Sequence, residues 1–213
     1  KKYYGVTLEE EKDVILPLAK LGIEATGSMG DDTPMPVLSK QSRSIYDYFR
    51  QQFAQVTNPP IDSLRETSVM SLETCLGVER NLFDESSLHA GRLILDTPIL
   101  SRQVFEKLIS FDKKGFPNDK LSLHYDKTID LEEAINTISD RAVRSVKKGN
   151  VLIILSDFNL NSSQLTIPAA MAVGAVHHRL IEEGLRCDCN IIIETASTWN
   201  SHHFAVLLGY GCS

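Results

Sequence analysis

The chain has 213 residues, 42% hydrophobic and 23% charged, with 22 basic against 28 acidic residues and a net charge of −6. This is the composition of a soluble globular protein with one good core or two small ones, and it argues against a phosphate-backbone binder, which needs a basic stripe. The longest apolar stretches, Val151 to Leu155 and Pro168 to Val176, fall far short of the ~20 residues of a membrane helix.

In chain order, a helix is predicted over Thr7 to Leu21. Thr7 is a good N-cap with Glu10 as its capping-box partner. Pro17 is awkward there and can kink or split the helix, and Gly22 ends it. Gly27-Ser-Met-Gly-Asp-Asp-Thr-Pro-Met-Pro36 has too many breakers for regular structure. A second helix is predicted over Ser42 to Gln55, with Ile45, Tyr48, Phe49, Gln52 and Phe53 near one side. Thr57-Asn-Pro-Pro60 stops it, and the prolines favour extended backbone at Asn58 and Pro59.

Arg92 to Leu95 is a short strand candidate, Ser101 caps a short helix through Ile109, and Leu121 to Tyr125 alternates as a second strand. Asp130 caps a helix running to about Lys148, where Leu131, Ala134, Ile135, Ile138, Ala142 and Val146 repeat at helical spacing. Val151 to Leu155 has no polar face, as a buried parallel strand requires. Pro168 opens a helix to about Glu183. Asn190 to Glu194 is again apolar on both faces, and Ser201 to Leu208 is the last helix. Two apolar strands joined by a helical crossover imply a βαβ unit. The fold class is therefore α/β: an open, mostly parallel sheet of about four strands flanked by helices, in Rossmann-like layering without a nucleotide fingerprint.

Ligands in such sheets sit beyond the carboxyl ends of the strands, which here carry Ser156-Asp157 and Glu194-Thr-Ala-Ser197. Asp157 and Glu194 are placed to bind a metal or move protons, as in a free-standing α/β small-molecule or metal-dependent enzyme. The plainer alternative is that they end strands and cap the next element. The cysteines Cys75, Cys187, Cys189 and Cys212 form no disulfide framework, so a reducing cytoplasm is expected. Cys187-Asp-Cys189 lacks the C-x-x-C hook. It completes a zinc set only if Cys189 begins a strand and His202 and His203 join it. His177 and His178, mid-helix, diverge too far to chelate one ion easily. Arg50-Gln-Gln-Phe-Ala-Gln-Val-Thr-Asn-Pro-Pro-Ile-Asp62 reads as a stiff connector rich in hydrogen-bonding groups, suited to lining a passage or clamping two bodies; a plain surface loop fits its composition equally well.

Gly27 to Pro34, Tyr46 to Asp62 and Val69-Met-Ser-Leu-Glu-Thr74 resemble the central domain of the glutamate synthase large subunit, most of all the bacterial NADPH-dependent type. Met171 to Gly174, Leu185 to Asp188, Glu194 to Ser197 and His202 to Gly211 continue the match. The resemblance covers residues 1–213 as one central domain, without the N-terminal glutaminase domain or the C-terminal FMN and iron–sulfur domain. It implies an open α/β domain with a four-stranded parallel sheet that links the two and walls an internal ammonia tunnel. The parent enzyme converts glutamine and 2-oxoglutarate to two glutamates. It uses FMN, a 3Fe-4S cluster and NADPH supplied through a small partner subunit. The resemblance implies tunnel roles for Met29, Asp31, Thr57 and Asn58, and no catalytic, metal or cofactor residue within the chain. Residue 1 is Lys, not a cysteine nucleophile, and a barrel of about 250 residues has no room here. Lys1 in place of a start Met points to processing or to a piece cut from something larger. The chain alone is expected to be inactive.

Overall fold

A computed structural model describes residues 4–27, 33–34, 36–41, 43–51, 60–111 and 115–213. The chain divides into two compact units: residues 1–71 with 198–206, and residues 72–197 with 207–213.

The first unit opens on helix α1 (Leu8–Glu10), continues through a π-helical stretch at Glu11–Ile15, and returns to α geometry in α2 (Leu16–Leu21). The capping box forms as the sequence implies: Glu10 N–H donates to Thr7 Oγ1 at 3.1 Å, and Thr7 N–H donates to Glu10 Oε2 at 2.7 Å. Gly22 closes the helix in the left-handed region at φ 64°. The π stretch just before Pro17 answers the conflict that the proline creates. Pro17 has no N–H to donate and its ring crowds the carbonyl four residues back, and a local widening relieves both. No residue of α1, the π stretch or α2 is buried.

The helix expected over Ser42 to Gln55 is not found in its described part, which holds a 3-10 turn at Ile45–Tyr48 and a bridge residue at Gln51. Ile, Tyr, Asp and Phe are modest helix formers, and the turn is instead held by burial of Tyr46, which is 3% exposed. Short helix α3 (Glu66–Val69) follows a turn in which Asp62 Oδ1 accepts from the backbone of Leu64 and Arg65.

The second unit carries the predicted α/β architecture. Its parallel sheet has the order β3 (Asn118–Ser122), β5 (Leu152–Ser156), β7 (Asn190–Glu194), with Leu121, Leu155 and Ile193 in one row and Ser122, Ser156 and Glu194 in the next. Central strand β5 is buried throughout. Leu152 and Ile154 face a cluster with Ile192, Leu76, Phe105 and Leu108. Alternation turns Ile153 and Leu155 to the other face, where α5 (Leu131–Lys147) and α6 (Ala169–Glu182) pack on the sheet. Each fully buried Leu or Ile here contributes about 1.5–3 kcal/mol.

Among the described residues three strands, rather than about four, make the parallel sheet. Strand β2 (Leu93–Leu95) instead pairs antiparallel with β1 (Thr74–Leu76), a strand with no periodic signal. The run Leu121 to Tyr125 is divided at the fully buried Leu123. Strand β3 starts earlier, at Asn118, while β4 (His124–Asp126) leaves to pair antiparallel with β6 (Gln164–Thr166). Polar Asn118, Asp119 and Lys120 suit a sheet edge, which is where β3 lies. Helix α4 (Arg102–Ile109) is capped by Ser101, whose Oγ accepts from Val104 N–H at 3.3 Å.

Helix α7 (Ser201–Gly209) spans the boundary between the units in sequence. The chain end lies against β7: Ser213 N–H donates to the Ile191 carbonyl at 2.9 Å.

Candidate functional site

Met29, Asp31, Thr57 and Asn58, the expected tunnel residues, lie outside the described residues. The residues that flank their two stretches are described, and both belong to the first unit. Arg50, at the head of the connector, donates from Nη2 to the backbone carbonyl of Thr33, at the end of the Gly27–Pro34 loop, at 2.5 Å. That bond joins the two stretches across seventeen positions of sequence. At the far end of the connector Asp62 is paired with Arg65 at 2.9 Å.

The turn leading into the connector is fixed by an aromatic nest. The His203 ring stacks on Tyr46 with centroids 4.3 Å apart, and the Trp199 ring meets His203 edge-on at 4.7 Å. His203 Nδ1 accepts from the Trp199 N–H at 3.4 Å, and His202 Nε2 lies 2.9 Å from the Tyr46 carbonyl. Burial, and after it the neighbouring His202, push the His203 pKa down to about 4 against the pull of Asp47 and Glu10. His203 is therefore neutral, as its acceptor role requires. Sequence reasoning placed His202 and His203 at a helix start but had no signal for their partner at Tyr46.

In the second unit, the carboxyl ends of the parallel strands hold Asp157 and Glu194. Glu194 takes an ion pair from Lys120 Nζ at 2.5 Å, a second from Arg102 Nη1 at 3.0 Å, and the Ser156 hydroxyl at 2.5 Å. Burial opposes its charge, but the bonds from Lys120 and Ser156 and the charges of Lys120 and Arg102 outweigh it and hold the carboxyl below its ordinary value. A general acid at neutral pH needs the opposite shift. Arg102 and Lys120 also lie over the Phe158 ring, 4.9 and 5.5 Å from its centroid. Asp157 accepts from Thr195 Oγ1 at 2.5 Å and from Ala196 N–H at 3.2 Å. Both carboxylates thus knit strand ends together.

The C-x-C pair does not sit on one strand: Cys187 lies in the 3-10 turn Arg186–Asp188, and β7 begins only at Asn190. Burial pushes the Cys189 and Cys212 thiols up to about 11. Among the described residues no group of three or more His, Cys, Asp or Glu is placed to hold a metal ion. The cysteines here therefore do not fit a 3Fe-4S cluster. His177 and His178 meet edge-on at 5.4 Å, and His177 Nδ1 accepts from Arg186 Nε at 3.0 Å. Arg186 also donates to the carbonyls of Cys189 and Gly211. Sequence alone offered no sign of this arginine hub. Among the described residues, no helix is long and apolar enough to cross a membrane.

The second unit is a parallel α/β unit with ion-paired strand ends, and in sequence it follows a segment tied by the Arg50–Thr33 bond. The chain belongs to the glutamate synthase central domain family, whose model matches residues 1–213. It is 40% identical over 212 residues to the ferredoxin-dependent glutamate synthase of Pyropia yezoensis and 39% identical over 211 residues to the glutamate synthase [NADPH] large chain of Bacillus subtilis. It is 41% identical over 214 residues to the ferredoxin-dependent glutamate synthase 2 of Synechocystis. In each case 99% of this chain is covered, and it spans 14% of the relative's length.

Proposed function

We propose that this chain is the linking domain of a glutamate synthase large chain. In this reading it joins the glutaminase and FMN domains and forms part of the wall of the passage that carries ammonia between them. The whole enzyme would transfer the amide nitrogen of glutamine to 2-oxoglutarate, giving two glutamates. FMN and the 3Fe-4S cluster would belong to the neighbouring domain, and a small subunit would deliver electrons from NADPH. The domain's own part is positional, and cytoplasmic ammonia assimilation is the setting it fits.

The observation that carries this reading is the Arg50–Thr33 hydrogen bond. It joins Thr33, four positions after Met29 and two after Asp31 in sequence, to Arg50, seven positions before Thr57. Pro59 and Pro60 restrict the backbone and suit it to present fixed carbonyls. An acidic Asp31 is able to retain ammonium, so its protonation state bears on whether ammonia passes. A linking role also accounts for the helical segment 8–21, where Leu8, Leu16, Leu18 and Leu21 are 42–69% exposed. Such unpaired apolar surface is what neighbouring domains cover.

The test is Thr57→Trp in the full-length enzyme. Coupled turnover consumes one 2-oxoglutarate per glutamine hydrolysed. The bulky side chain is expected to raise glutamine consumption relative to 2-oxoglutarate consumption. An unchanged ratio removes the passage assignment.

A further inference from the structure

Leu82 and Phe83 stand next to each other in the segment between β1 and β2, 90% and 95% exposed. A single exposed leucine needs no explanation. Two adjacent large apolar side chains held on a braced turn do. The base of the segment is fastened to β7 and the turn before it: Gly77 N–H donates to Asn190 Oδ1 at 2.7 Å in a buried contact, and Glu79 N–H to the Cys187 carbonyl at 2.9 Å. At the tip, Asp84 N–H donates to the Asn81 carbonyl at 3.0 Å and Phe83 N–H to Asn81 Oδ1 at 3.1 Å. On the return, the His89 ring nitrogen Nε2 lies 2.8 Å from the Asp84 carbonyl. The backbone beneath the two side chains is thus ordered before any partner arrives, which lowers the entropy cost of docking.

We propose that the 81–84 turn is an anchor that inserts Leu82 and Phe83 into an apolar pocket on another domain of the same polypeptide. The turn carries Glu79, Asp84 and Glu85 against the single base Arg80, so the pocket that fits it is rimmed with Lys or Arg. The occupant follows from length. This chain spans 14% of relatives that match almost all of it, so most of such a polypeptide lies outside it. A tethered domain meets the turn at a high effective concentration that a separate protein does not reach. The inference rests on the linking role proposed above and is independent of the ammonia passage.

The experiment places the photo-crosslinking residue benzoylphenylalanine at position 83 of the full-length enzyme, in an assembly mixed from isotopically light and heavy chains. Crosslinks from position 83 to another domain, pairing light with light and heavy with heavy only, are expected. Mixed light–heavy crosslinks, crosslinks to the small subunit, or none beyond the 72–92 segment overturn the proposal. As a second measurement, Phe83→Cys in the native full-length enzyme is expected to react with a maleimide about tenfold more slowly, or slower still, than in the unfolded chain. Equal rates overturn the anchor. Thr57→Trp separates the two ideas. Uncoupling there without a crosslink at 83 removes the anchor alone, and a crosslink with normal coupling removes the passage alone.

Discussion

His203 stacks on Tyr46 at 4.3 Å although 157 positions of sequence separate them. The pair is almost wholly buried, at 6% and 3% exposure, and it is the main support of the 3-10 turn at Ile45–Tyr48. An aromatic pair contributes about 0.5–1.5 kcal/mol beyond its burial. His203→Ala, which also leaves a cavity, is expected to cost about 2–4 kcal/mol. His203→Phe keeps the ring and is expected to lose under half of that. Urea unfolding midpoints check both, and equal losses in the two variants contradict the stacking argument.

Acid should loosen the same contact. An unfolded histidine titrates near 6.5, whereas His203 in the fold titrates near 4. Between those values the unfolded chain binds the proton and the folded chain does not, so stability rises with pH across the window. The contribution is whole above about pH 6.5 and fades as pH falls toward 4, by on the order of 2–3 kcal/mol. His177, lowered by burial and by Arg186, acts in the same direction. Stability measured from pH 7 to pH 4 is expected to fall less steeply in His203→Phe than in the native chain. Parallel slopes contradict the assignment.

Glu194→Gln leaves Lys120 and Arg102 without their shared carboxylate. Glu194 itself is 14% exposed, but the two cations are 42% and 55% exposed, so water recovers part of the loss. The expected cost is about 1–2 kcal/mol. Because the carboxyl is held below its ordinary value, its contribution is present above the unfolded carboxylate pKa and lost as pH falls through the folded one. Thermal unfolding at pH 7 and at progressively lower pH checks this: the difference between the variant and the native chain should be largest at pH 7 and shrink as the pH falls below the ordinary carboxylate range.

Gly211→Ala is expected to be among the most damaging single-methyl changes in the second unit. Gly211 sits at φ 109°, a conformation that suits only glycine, and a Cβ there would overlap the His177 imidazole. Strain and overlap together cost about 2–4 kcal/mol. Adding His177→Ala should return only part of the loss, since the backbone strain stays. Denaturant midpoints of the single and double variants measure the two parts.

Arg50→Ala tests the tie between the loop and the connector. A charge-assisted hydrogen bond contributes about 1.5–3 kcal/mol. In the full-length enzyme its loss is expected to raise glutamine hydrolysis relative to 2-oxoglutarate consumption. Arg50→Lys should leave a smaller leak, because a lysine still donates but without the guanidinium's planar reach. A ratio of one in both variants removes the bond from any role in coupling.

Much of this fold was legible because its signals are local. Thr7 with Glu10, Ser101 and Asp130 cap the helices they mark, because a side-chain oxygen three or fewer positions from an unpaired N–H depends on little else. Leu152 to Ser156 and Asn190 to Glu194 are strands because neither has a polar face to turn to water. The misreadings fall where an element is defined by its partner. Leu93 to Leu95 needed Thr74 to Leu76 for pairing, and polar Asn118 to Lys120 became strand only through the edge of β5.

The chain's order of residues therefore determined the capped helices at Thr7, Ser101 and Asp130, its two buried strands and its family, through capping, periodicity and long matching segments. Tertiary structure alone decided that Tyr46 meets His203, that Arg50 reaches Thr33, and that Glu194 is neutralised by Lys120 and Arg102. Those choices belong to groups separated by 17 to 157 positions. Their energies depend on distance and desolvation in space, which no local pattern of side chains encodes.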